Sequence, residues 1–133
     1  MPVNTYPVDR WVTALGDLWH NHRLLPALLG GQSEQNILNL LADKLTAATP
    51  VLRLQEPVDV PVLAQILTRL DCLISVDTAP AHLGVALGTP TVVLAGAGHP
   101  HRFFPWPNSP HHTVLTKPVP CAGCLCRCTR PEP

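Results

Sequence analysis

Apolar positions along the chain follow two rhythms, one at helical spacing and one in short unbroken runs. Between positions 9 and 19, Trp11, Leu15, Leu18 and Trp19 recur at helical spacing, which predicts a helix with one buried stripe and Asp9 as its cap. The run Leu24-Leu25-Pro26-Ala27-Leu28-Leu29 is continuous and stops at Gly30-Gly31. That pattern suits a short buried strand ending in a tight turn, with Pro26 directing it toward a sheet edge. Ser33 is placed to cap a second helix over residues 34–47, where Ile37, Leu38, Leu41 and Leu45 form one face. A short strand over 51–54 is expected next.

From Val60 the helical rhythm returns in Val62, Leu63, Ile66, Leu67 and Leu70, and Cys72-Leu73-Ile74-Ser75-Val76 then reads as a buried strand. A helix over residues 80–87 and a strand over 91–95 complete the alternation. Near-continuous apolar strands separated by helices imply parallel pairing with both faces covered, so the expected fold class is α/β, doubly wound. Beyond this the composition changes: eight of the 16 prolines lie at or after Pro100, as do His101, His111 and His112, with His99 just ahead. The chain therefore divides into a folded lobe, 1–98, and a Pro/His/Cys-rich loop and tail, 99–133, packed on the same domain.

Composition narrows the function classes. The 133 residues are 46% hydrophobic and 14% charged, which fits one globular domain and excludes disorder driven by charge. Nine Lys and Arg balance nine Asp and Glu, so there is no electrostatic footprint for nucleic acid. No apolar run reaches the roughly 20 residues of a membrane span, and residues 1–11 lack the order of a secretory leader. A cytoplasmic location is expected. Five cysteines, four of them crowded at Cys121, Cys124, Cys126 and Cys128, make a poor secreted disulfide framework.

The chemistry concentrates between Ile74 and Pro90. Asp77 and Thr78 fall where a buried strand leaves its sheet, and the next helix opens with Pro80 in its first turn. Open α/β sheets bind ligands at that edge. Unpaired amides, the positive end of the helix dipole and donors on Thr78 and His82 together suit a diphosphate. Asp77 would repel phosphate, so it is expected either to cap the helix or to accept a hydrogen bond from a sugar hydroxyl. An Asp-Thr pair by itself also fits a plain helix cap. Gly84 and Gly88 are small enough for close packing of the helix on the sheet.

At these residues the sequence resembles the bacterial heptosyltransferases and their relatives, glycosyltransferase family 9. The resemblance rests on Ser75-Val76-Asp77-Thr78 through His82, then Gly88-Thr89-Pro90 and the strand from Thr91 to the glycine loop at Gly98. It extends upstream through Tyr6-Pro7-Val8-Asp9-Arg10-Trp11 and Gly30-Gly31 with Glu34. Downstream it takes in residues 99–106 and Cys121-Ala122-Gly123-Cys124. It implies one Rossmann-like lobe of the two-lobed glycosyltransferase B architecture, the lobe that binds the nucleotide-diphospho-sugar donor, by resemblance ADP-heptose, for lipopolysaccharide or a related glycan. By the same resemblance Asp77, Thr78 and Ala79, together with His82, contact the donor diphosphate and sugar, and Glu34 the ribose. The catalytic base is expected on a separate N-terminal acceptor lobe, so no catalytic residue is assigned here and the chain alone is expected not to transfer sugar.

Asn4 stands where the family usually has a lysine that neutralises the diphosphate. A non-catalytic partner module, or a remnant that has lost donor binding, is therefore the alternative. His99 and Arg102, in the loop after the glycine turn, are further candidates for donor contact. Cofactors are not required by this chemistry. Cys121, Cys124, Cys126 and Cys128 could hold one tetrahedral zinc ion, with free thiols or an adventitious disulfide as the other readings.

Overall fold

A computed structural model describes residues 6–45, 49–54, 57–96, 106, 110–120 and 122–123. The described residues fall into two compact units, Tyr6–Asp59 and the part from Val60 onward.

In the first unit, α1 spans Val8–His22. Pro7 occupies its N-cap with no side-chain cap bond, so Asp9 is not the cap. It sits within the first turn, where a carboxylate complements the positive helix end, and it pairs with Lys44 Nζ at 2.8 Å. Proline's preset φ suits a helix entry without a capping side chain. The helix ends on Arg23 in the left-handed region, φ 58°, and the Arg23 amide donates to the Trp19 carbonyl at 3.0 Å.

Only Ala27–Leu28 of the expected strand pairs, as β1, in parallel with β2 at Leu52–Arg53. Gln32–Glu34 form a 3-10 turn and α2 runs over Gln35–Leu45, so Ser33 does not cap the helix. Gly31 does that work: its amide donates to Glu34 Oε2 at 2.7 Å, and the Glu34 amide returns to the Gly31 carbonyl at 3.1 Å. The inward face of α2 is Leu38, Leu41, Ala42 and Leu45, whereas Ile37 is exposed. These four join Leu15 and Leu28 in one core, with Val8, Trp11, Val12, Leu18 and Val51 packed around it.

The second unit begins with α3, Val60–Leu67, followed by β3, Leu73–Val76, α4, Ala79–Ala86, and β4, Thr91–Ala95. β3 and β4 pair in parallel from Leu73↔Thr91 to Val76↔Leu94. A fifth strand, β5 at His112–Thr116, extends the sheet in the order β3-β4-β5, again parallel. This strand lies inside the stretch expected to be loop; its β-branched Thr113, Val114 and Thr116 are the local signal for it. Parallel sheets with flanking helices give the α/β, Rossmann-like class that the periodicity implied.

The two glycines around α4 serve different ends. A methyl group on Gly84 would come within 2.6 Å of Leu73 Cδ2 and 3.2 Å of Thr91 Oγ1, so the absence of a side chain sets the helix-to-sheet distance. Gly88 has nothing within 4 Å of such a methyl but has φ +79°. Its task is the turn and not close packing, contrary to the expectation for it. The Thr89 amide donates to the Gly84 carbonyl at 2.9 Å and the Gly88 amide to the Val85 carbonyl at 3.0 Å, a paired C-terminal cap that needs a left-handed residue. Thr89 Oγ1 then donates to the buried Leu67 carbonyl at 2.9 Å, tying the end of α3 to the start of β4.

Candidate functional site

β3 delivers Ser75 and Val76 to the carboxyl edge of its sheet, and Asp77 and Thr78 follow before α4 opens at Ala79. Thr78 is the N-cap residue, extended at φ −146° and ψ 171°, but its hydroxyl makes no cap bond. Instead Thr78 Oγ1 donates to the Val76 carbonyl at 3.2 Å and lies 3.3 Å from Ser75 Oγ, which itself donates to the same carbonyl at 2.8 Å. Two hydroxyls thus converge on one strand-end carbonyl. The sequence gives Ser75 a place in the strand but no role, and the approach of its hydroxyl to Thr78 is visible only once the turn is folded.

Pro80 brings no N–H, and the Ala81 amide turns back to the Thr78 carbonyl at 3.0 Å. The amides that open the helix are therefore those of Thr78 and Ala79, and both residues are exposed. Leading amides at the positive end of a helix suit an anion.

His82 stands one turn further on. Its Nε2 lies 3.6 Å from Asp77 Oδ1, with the aspartate side chain 18% exposed and the imidazole 37%. The structure therefore brings Asp77, Thr78, Ala79 and His82 together around the start of one helix. A partly buried carboxylate can accept a hydroxyl hydrogen bond there, while the amides and the Thr78 hydroxyl can donate to an anion. Trp106 also meets His82 in a T-shaped contact, with ring centroids 5.5 Å apart at 77°.

Glu34 belongs to the unit Tyr6–Asp59, where its carboxylate accepts from the Gly31 amide and from Ser33 Oγ, each at 2.7 Å. Gly98, His99 and Arg102 lie outside the described residues, as do Asn4 and Cys121, Cys124, Cys126 and Cys128. Among the described residues no group of three or more His, Cys, Asp or Glu could hold a metal ion. Cys72, one residue ahead of β3, has its thiol pushed up by burial, which disfavours the reactive thiolate. No helix among the described residues is long and apolar enough to cross a membrane.

Residues 2–130 match the family model for glycosyltransferase family 9 (heptosyltransferase). The chain belongs to glycosyltransferase family 9. Its fold is similar to the crystal structure of the glycosyl transferase family 9 from Veillonella parvula DSM 2008. The TM-score is 0.74 and the identity 22%, over 87% of this chain and 32% of that one. The family 9 chain described here thus spans about a third of the length of that structure. No curated protein sequence matches it.

Proposed function

We propose that this family 9 chain forms a donor-binding lobe for a nucleotide-diphospho-sugar of the ADP-heptose kind, acting in lipopolysaccharide or a related glycan synthesis. The observation that carries the reading is the β3–α4 junction, where the Thr78 and Ala79 amides, the Thr78 hydroxyl and the Asp77–His82 pair share the carboxyl edge of a parallel sheet. The diphosphate would lie against the helix start, with Asp77 turned to a sugar or ribose hydroxyl. Glu34, Gly98 and His99 remain proposed donor contacts.

In sugar transfer an acceptor hydroxyl attacks the anomeric carbon, and the nucleoside diphosphate departs with the electron pair of the broken bond. A base takes the proton of the hydroxyl. The helix start of α4 would stabilise the charge that builds on the departing diphosphate. The base and the acceptor site are proposed for a separate acceptor lobe, so the chain alone would bind donor without transferring it. The proposed location is cytoplasmic.

Calorimetry of the chain with ADP, UDP and their sugars tests this directly. Saturable binding is the expected result, and Asp77→Asn and Thr78→Val should each weaken it about tenfold, the loss of one charge-assisted bond. No binding at millimolar ligand would remove the reading and favour the rival one that Asn4 suggests, a partner module without donor binding. Zinc at Cys121, Cys124, Cys126 and Cys128 is a separate proposal resting on thiol spacing. Stoichiometric zinc lost to a chelator with a fall in melting temperature would support it, and a metal-free preparation with unchanged melting would eliminate it.

A further inference from the structure

At the end of β3 three oxygen atoms, the Val76 carbonyl, Ser75 Oγ and Thr78 Oγ1, share two protons. Leu73 sends its amide to the Pro90 carbonyl at 2.7 Å, and backbone groups alternate in direction along a strand, so the Val76 carbonyl points away from β4. Hydroxyls meet it there. Ser75 Oγ donates to it at 2.8 Å, the ordinary length for a bond between oxygens, whereas Thr78 Oγ1 stands 3.2 Å from it and 3.3 Å from Ser75 Oγ. A hydroxyl has one proton to give and two lone pairs to offer. The Ser75 proton therefore goes to the short bond, and the Thr78 proton to one of two long ones.

That inequality decides which hydroxyl can leave. Thr78 is exposed at the cap position of α4, while Ser75 and Val76 are half-buried. When the Thr78 hydroxyl turns outward to an anion it gives up only a long bond, and the Val76 carbonyl stays paired through Ser75. With the Ser75 hydroxyl removed, the same turn would take away the remaining hydroxyl and leave a half-buried acceptor unpaired, which is unfavourable.

We infer that Ser75 is a positioning residue, which holds the Val76 carbonyl and so leaves the Thr78 hydroxyl to donate to a ligand oxygen at the start of α4. The consequence for ligand affinity rests on the donor-binding reading above, whereas the division of labour between the two hydroxyls stands without it. A donor that need not break a strong bond first loses less of its interaction on binding.

The test uses the chain with isotope-labelled carbonyl carbons, as wild type and as Ser75→Ala, Ser75→Thr, Thr78→Val and the Ala/Val double variant, each compared in its folded form. Without ligand, the Val76 carbonyl resonance should move further in Ser75→Ala than in Thr78→Val. Ser75→Thr, which keeps the hydroxyl, should hold it near the wild-type position. An equal or larger movement in Thr78→Val overturns the proposal whatever the binding data show. With ADP as the probe, Ser75→Ala should weaken binding about two- to tenfold, Ser75→Thr should restore it, and Ser75→Ala should add nothing once Thr78 is Val. An equal loss with and without the Thr78 hydroxyl would mean that Ser75 acts on the fold or on the ligand directly, and would refute positioning through Thr78. So would an unchanged affinity in Ser75→Ala. If the wild type binds no ADP at all, the donor-binding reading fails and the carbonyl resonance alone decides which hydroxyl holds Val76.

Discussion

The units on either side of Asp59 solve the same problem, covering apolar surface, with different materials. From Tyr6 to Asp59 the strands are two residues long and the core is built from leucine side chains on α1 and α2. From Val60 onward the strands run four and five residues, and the buried apolar residues are Leu67, Leu73, Ala81 and Val93, the last two 0% exposed. There a backbone ladder and a glycine packed on Leu73 add to what buried leucines supply in the first unit. The difference matters for chemistry, because a long strand feeding a closely packed helix puts a defined helix start at the sheet edge. The candidate site lies in the unit with the longer strands.

The largest expected effect falls on the leucine core. Leu45 is 2% exposed at the end of α2, and Leu45→Ala should lower stability by about 2–5 kcal/mol in chemical denaturation. Hydrogen exchange should rise first in α1 and α2. Equal loosening of the β4–β5 ladder would break the contrast between the units.

Gly84→Ala is the counterpart for the unit from Val60 onward. The added methyl meets Leu73, itself 8% exposed and unable to swing outward, and Thr91, 1% exposed. A loss of about 1–3 kcal/mol is expected, with faster exchange in β3 and α4. A neutral result would mean that the helix does not depend on close approach. Gly88→Ala sharpens the same point from the other side. With open space around it and φ +79°, the substitution should cost about 1 kcal/mol through backbone conformation alone, and Gly88→Asn should cost less because Asn tolerates that region.

The smallest effect belongs to Asp9. Lys44 beside it holds its carboxyl below the ordinary value, chiefly through their hydrogen bond and then through charge. Because the folded-state value is the lower one, the contribution is present at neutral pH and is lost as pH falls through that lowered value. Both side chains are solvent-exposed, so the effect should be slight and screened by salt. Melting curves of wild type and Asp9→Asn should converge in acid. A gap that persists there would assign Asp9 a role other than its ion pair.

Several features of the second unit were legible in the sequence. The run 91–95 is β4 residue for residue, and the expected strand over 72–76 differs from β3 only at its first residue. The helix expected over 80–87 runs over Ala79–Ala86, with Thr78, not Asp77, at the cap position. The first unit was read less well. Leu24–Leu29 is apolar enough for a full strand, yet only two residues find a partner, since β2 offers two. Ile37 lies on the expected face but points outward, because the core favours Leu38, Leu41, Ala42 and Leu45.

At the site, the sequence pointed to Asp77, Thr78, Ala79 and His82, and their shared helix start follows from local order. Ser75 and Trp106 were not assigned a role there. Trp106 packs on Ala81 and Val93, and it also meets His82.

What the sequence by itself determined is the order of elements, the α/β class and the strand-to-helix junction. These are written in periods of two and 3.6 and in a few capping residues, all within a turn or two of chain. Only the tertiary structure decided that β5 joins β4, that Gly84 spaces a helix while Gly88 turns the chain, and that Trp106 stands between two histidines. The strand pairing joins Thr91 to His112 and a ring contact joins His82 to Trp106, residues far apart in the chain. Local propensity carries little of that information, because it is the partner strand and the packed face that select one register and one ring contact.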